Sequence, residues 1–179
     1  MKKLMLAALA ALILAAPSSA FAQAAPVKQD GPLQPGQQIT VRDAIALLSA
    51  LRNLDGRMVV VEQGGQKGTV MQPWEFKSGI VRLRIASNIS ILAAVEKAAD
   101  DARVGIVKQV RKKYGVDQIT GESPAFEEFS RLYDEVLNAK AAGTQDLARI
   151  KASDLKLDAN EISVTVLSAL RPILDQDVK

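Results

Sequence analysis

Residues 81–103 read VRLRIASNISILAAVEKAADDAR and hold two competing periods. VRLRI alternates apolar and charged side chains, as a half-buried strand does, whereas from Ile85 onward apolar residues fall three and four apart. Extending the second pattern decides between them. Backward from Ile89 it reaches Ile85 and Val81; forward it runs through Leu92, Val95, Ala99, Ala102, Ile106 and Val110 to Tyr114. The strand period explains five residues and the helical one explains the whole stripe, with Leu83 and Ala86 on its flank. The spacing predicts one helix over 79–114 with Ser78 as N-cap, about 54 Å long at 1.5 Å per residue. A rod of that length is expected to bend near Ser87-Asn88 or Gly105.

Outward from this rod, ITVRDAIALLSALRNLDG (39–56) offers Thr40 as N-cap with Asp43 three residues later, so that free backbone N–H groups find acceptors. Val41, Ala44, Ile45, Leu48 and Leu51 form one stripe, predicting a helix over 41–54. Asp55-Gly56 should end it, with Gly56 in the left-handed conformation that glycine adopts past a helix. The β-branched run Val59–Val61, then Gly64-Gly65 and Gly68, then Thr69-Val70-Met71 read as a β-hairpin. An isolated hairpin is only marginally stable, so it is expected to lie against the helices, with Trp74 and Phe76 as anchors and Pro73 ending its second strand.

Beyond the long helix, Ser123-Pro124 gives an N-cap followed by proline at the first helical position. The helix it opens is expected to run to Ala142 through Phe126, Phe129, Tyr133, Val136 and Leu137, stopped by Gly143. Residues 144–160 are mixed, with a short extended piece at 148–152. Asp158 or Asn160 should start a last helix over 161–171, through Ile162, Val166, Leu167 and Leu170, which Pro172 ends or kinks at Arg171. The basic run Lys108, Arg111, Lys112 and Lys113 and the acidic pair Glu127-Glu128 suit two helices folded antiparallel about the 115–123 loop. The same arrangement would bring Asp100 and Asp101 towards Lys140. The expectation is an α-rich α+β fold: a helical hairpin with two further helices and a small β-hairpin, forming a single domain over 39–179.

The N-terminus has a different character. Lys2-Lys3, an unbroken apolar run from Leu4 to Ala16, Pro17-Ser18-Ser19 and then Ala20-Phe21-Ala22 follow the layout of a cleaved secretory signal peptide over 1–22. As a helix the apolar run spans only about 20 Å, against roughly 30 Å of membrane hydrocarbon. Residues 23–38, QAAPVKQDGPLQPGQQ, read as a flexible Pro/Gln/Gly tether. The expected location is therefore exported: periplasmic in a Gram-negative cell, otherwise secreted. No later stretch is apolar enough for stable membrane insertion after cleavage. Loss of Lys2 and Lys3 leaves 21 basic residues against 20 acidic ones, a net charge of +1, which does not point to nucleic acid or anionic lipid as a partner.

The chain has no Cys and no His. Disulfides, thiol nucleophiles, histidine-dependent triads and the usual zinc sets are thereby excluded, and any enzyme here must use carboxylates, hydroxyls, Lys or Tyr. The candidate sets that remain are sparse. Ser153-Asp154-Leu155-Lys156 matches S-x-x-K, whose lysine can help activate a serine, but the companion S-D-N and K-T-G motifs are absent. Glu127-Glu128 and Asp134-Glu135 supply paired carboxylates of the kind that hydrolyse glycosides; they also suit exposed helical turns. Lys108–Lys113 resembles an anion-binding run without interleaved aromatics. Asp158-Ala159-Asn160-Glu161 starts like a calcium loop but lacks its glycine and terminal glutamate; a helix cap is the simpler reading. LSALR recurs at 48–52 and 167–171 as a faint repeat.

TVRDAIALLSALRNLDG, RIASNISIL at the opening of the long helix, FEEFSRLYDEVLN, and RIKASDL with ISVTVLSALRPIL follow one another over most of 40–174. In this order they resemble a group of small helical proteins of unknown activity found in bacteriophage genomes. The resemblance implies an α-rich fold and brings no functional residue with it. No catalytic, cofactor-binding or metal-ligating residue is assigned, and no cofactor is expected. The functional expectation is a non-catalytic interaction module of the cell envelope, binding a protein partner or itself. The alternative is a carboxylate-dependent hydrolase acting on peptidoglycan.

Overall fold

The computed structural model describes residues 37–54, 56–64, 66–157, 160 and 162–175. The expected signal peptide, most of the tether and the cap residue Asp158 lie outside them. Four α-helices and two small sheets follow in chain order: α1 (Val41–Arg52), β1 (Arg57–Gln63), β2 (Gln66–Gln72), α2 (Gly79–Tyr114), α3 (Pro124–Asn138), β3 (Ile150–Lys151), α4 (Val164–Leu170) and β4 (Leu174–Asp175). This is the α-rich α+β architecture that the periodicity predicts.

The helix α1 is the hub. Thr40 accepts the Asp43 N–H at 3.1 Å and donates its hydroxyl to the Asp43 carboxylate at 2.6 Å, fixing the first turn. Val41, Ala44, Leu47, Leu48, Ala50 and Leu51 are buried against α2, α3 and α4. The helix stops at Arg52, two residues short of the expected end: the Asn53 side chain donates to the Ser49 carbonyl that its own N–H already uses, and the next N–H, of Leu54, tightens to Leu51. Gly56, at φ 159°, is nearly extended rather than left-handed. Its place is explained by close approach: a Cβ there would sit 2.9 Å from both the Gln72 carbonyl oxygen and the Met71 sulfur.

The long helix α2 is continuous from Gly79 to Tyr114, so the opening VRLRI belongs to a helix. Val81, Ile85, Leu92, Val95, Ala99 and Val110 are buried along one stripe. Ser78 has extended backbone angles but makes no side-chain capping bond. At the far end Gly115 adopts φ 63°, and the Val116 N–H returns to the Arg111 carbonyl. From there α3 runs back antiparallel. Ser123 accepts the Phe126 N–H at 3.2 Å, Pro124 occupies the first turn, and Lys113 meets Glu128 at 2.9 Å.

Two details of the expected helix pair are corrected. The α3 helix ends at Asn138, not Ala142, because residues 139–141 leave it to pair with the start of α1: Val41 N–H donates to Ala139 O and Ala141 N–H to Ile39 O. Asp100 and Asp101 do not reach Lys140. They hold Arg103 and Lys97 on their own helix, and Lys140 donates to the Gln38 carbonyl instead.

The C-terminal third also departs from expectation. The extended piece is only Ile150–Lys151, paired in parallel with Leu174–Asp175. The last helix begins at Val164, capped by Ser163; Asn160 is buried and serves another purpose. Pro172 tightens the chain into a 3-10 turn over Arg171–Ile173, while Arg171 keeps helical angles. Ile150, Leu155, Leu170 and Ile173 complete the core around α1.

Candidate interaction surface

The strands β1 and β2 form an antiparallel ribbon pairing Met58 with Met71, Val59 with Val70, Val60 with Thr69, Val61 with Gly68 and Glu62 with Lys67. Two residues, 64–65, connect them, and Gly64 supplies the positive φ that a tight hairpin needs. Every residue of β2 is exposed. Met58, Val60 and Met71 are 61, 70 and 60% exposed, and among the described residues no helix packs along the ribbon as the two strands pack on each other. The expected hairpin is therefore present, but it does not lie against the helices. The reason is its side-chain pattern. Because strand side chains alternate, Met58, Val60 and Met71 share one face, while Val59, Val61 and Val70 share the other. With Val on both faces, and Glu62, Thr69 and Lys67 sharing the face of the two methionines, neither is the obvious one to bury.

What holds the ribbon is its root. Trp74 and Phe76 pack against the core, as the sequence suggests. The Trp74 indole N–H donates to the Asn53 carbonyl at 2.6 Å, and Arg82 lies over the Phe76 ring while donating to the Trp74 carbonyl. Asn160, 4% exposed, accepts the Glu75 N–H at 3.1 Å and donates to the carbonyls of Glu75 and Leu155. The Lys77 N–H donates to Asp154 O at 3.1 Å, and Lys156 pairs with Glu75 at 3.3 Å. Asn88 plays a similar part on α2: fully buried, it accepts the Ala148 N–H at 2.7 Å and donates to the Ala148 carbonyl at 2.8 Å.

Both asparagines escape a reading based on apolar stripes. Asn88 had a signal, since 81, 85, 88, 92, 95 and 99 alternate spacings of four and three, and only position 88 in that series is polar. A polar residue on a buried seam must be hydrogen-bonded, which here fixes the 147–150 segment. Asn160 had no comparable signal, because two of its three side-chain bonds go to Glu75, 85 residues away.

Of the candidate catalytic residues, Glu128, Asp134, Glu135 and Lys156 are held in ion pairs. Glu128 lies between Lys113 and Arg131. The Lys113 hydrogen bond holds its carboxyl below the ordinary glutamate range, against desolvation, whereas a general acid needs the opposite shift. The same bond raises the Lys113 ammonium. Glu135 pairs with Arg131 and Asp134 with Arg42. Ser153 lies within a 3-10 turn that Lys156 closes, and Lys156 is directed to Glu75. Of the calcium-loop residues only Asn160 is described, and its amide is engaged with backbone. Among the described residues no cluster of three or more acidic side chains is arranged to hold a metal ion, and no buried side-chain nitrogen or oxygen is left without a partner.

A second exposed apolar spot lies at the start of α2, where Ile80 and Leu83 face away from the buried Val81 and Ile85. Among the described residues no helix is long and apolar enough to cross a membrane. No family model matches this chain, and comparisons with curated proteins and with solved structures return no match.

Proposed function

We propose that this protein is an exported, non-catalytic interaction module of the cell envelope, and that the β1–β2 ribbon is its binding element. One observation carries the reading: a two-stranded sheet exposes methionine and valine on both faces, while the residues that anchor it sit at its root. Apolar surface left in water is unfavourable at roughly 25 cal/mol per Å2, and contiguous apolar patches mark interaction surfaces. Export is supported by the layout of residues 1–22, and the kinship to small phage proteins is a proposal resting on segment order alone. The hydrolase alternative has less support, since the pairing around Glu128 disfavours its acid form.

The test is capture from envelope extract by the immobilised chain, set beside a variant with Met58→Ser, Val60→Thr and Met71→Ser. The expected result is an envelope protein retained by the first and lost from the second. Recovery of nothing but the chain itself overturns the envelope partner, and equal capture by both overturns the ribbon as the binding element. In parallel, turnover of peptidoglycan fragments by the chain that is lost on Glu127→Gln and Glu128→Gln would establish the hydrolase instead.

A further inference from the structure

The ribbon's two edges differ. β2 carries Lys67 and Gly68 and is followed by Pro73, residue types with which sheets blunt a free edge. β1 carries Met58-Val59-Val60-Val61, without lysine, glycine or proline among them. Among the described residues no third strand joins this sheet, so the outward N–H and C=O groups of β1 are open to another strand. A seven-residue strand is about 24 Å long, and a strand's depth of about 10 Å gives roughly 240 Å2 of contact. Stable pairs of folded proteins bury about 800 Å2 on each side. The edge is sized for one strand and for a dissociable contact.

The strand that fits it is another β1. Laid antiparallel about a two-fold axis through Val60, two copies pair all seven residues: Val60 with Val60, Val59 with Val61, and Met58 with Glu62. Centring on Val59 or Val61 leaves only five residues paired. Centring on Glu62 sets two carboxylates face to face, which repels. In the Val60 register each Glu62 stands between its own Lys67 and the other copy's Met58. Like charges of the two copies are then kept apart, and Met58, Val60 and Met71 of both copies come to lie on one face, which they share with Glu62, Lys67 and Thr69. We propose that two copies of this protein pair reversibly through β1, forming a four-stranded antiparallel sheet in the order β2-β1-β1-β2.

This rests on the ribbon being the binding element, and it names a second copy of the chain as the occupant. Light scattering over a concentration series should show the average mass rising up to twofold. Val60→Lys places two ammonium groups on the axis and should hold the mass at the monomer value throughout, whereas Thr69→Lys, on the far strand, should not. Val60 is mostly exposed, so far-UV circular dichroism should show both variants folded. Because the chain has no Cys, Val60→Cys supplies one thiol per copy, and mild oxidation should link it into dimers far faster than Thr69→Cys. A wild-type mass that stays monomeric up to roughly 1 mM, a dimer that survives Val60→Lys, or equal cross-linking through both cysteine variants overturns the proposal. A monomeric chain that still captures an envelope protein through its ribbon removes this inference alone. A β1-linked dimer with nothing else captured removes only the heterotypic reading.

Discussion

Helix α1 and the ribbon after it are neighbours in sequence, the first rich in Leu and Ala and the second in Val and Met, yet half of α1 is buried while β2 is wholly exposed. The difference lies in how the apolar residues are distributed. Those of α1 fall on one side of a 3.6-residue period and meet α2, α3 and α4 together. Those of the ribbon fall on both faces of a two-residue period, so no single packing partner can cover them. Apolarity makes burial favourable; only one-sided apolarity makes it geometrically available.

Substitutions should separate the two regions widely. Leu48→Ala, at a fully buried site, should cost about 2–5 kcal/mol in urea unfolding. Val60→Ala should fall within about 0.5 kcal/mol of wild type. A large loss at Val60 in the monomer would mean that the ribbon belongs to the core. Intermediate effects are expected where buried amides fasten loops. Asn88→Ala orphans the Ala148 N–H and C=O, and Asn160→Ala does the same at Glu75 and Leu155; each should cost about 1–3 kcal/mol. For Asn160 hydrogen exchange should also quicken at residues 73–77, next to the ribbon, before it does so in α1.

Capping gives a finer contrast. Thr40→Ala and Ser123→Ala each remove a side-chain acceptor and should cost about 1 kcal/mol. Ser78→Ala removes no such bond and should leave the unfolding midpoint almost unchanged. The smallest effect belongs to Glu128. Its folded pKa is depressed by Lys113, so its contribution is present above the ordinary glutamate value of about 4.3 and is lost as pH falls through the lower folded value. The midpoint difference between wild type and Glu128→Gln should therefore be slight at neutral pH and vanish in acid.

These contrasts also mark what could be read from the chain. The 79–114 helix was legible because its stripe is long enough to outvote five alternating residues. The start of α3 was legible because Ser123-Pro124 is a local signal for a local event. The ends of α1 and α3 were not. The end of α1 is set locally, where the Leu54 N–H turns to the Leu51 carbonyl, and that of α3 by residues 139–141 pairing across to Ile39 and Val41, about a hundred residues away in the chain. The hairpin was legible as a hairpin, and its exposure was not, since Val59-Val60-Val61 looks the same in a covered sheet as in a bare one. Asn160 is the extreme case: an apparent helix cap whose amide is spent on a distant backbone.

The fastening at Trp74, Glu75 and Lys77 ties the exit of the ribbon to the body of the protein. Its exit strand is bolted to the segments on either side of Leu155, which sits in the core beside α1. A pull on the ribbon's root is thus felt by the segment packed beside the hub helix.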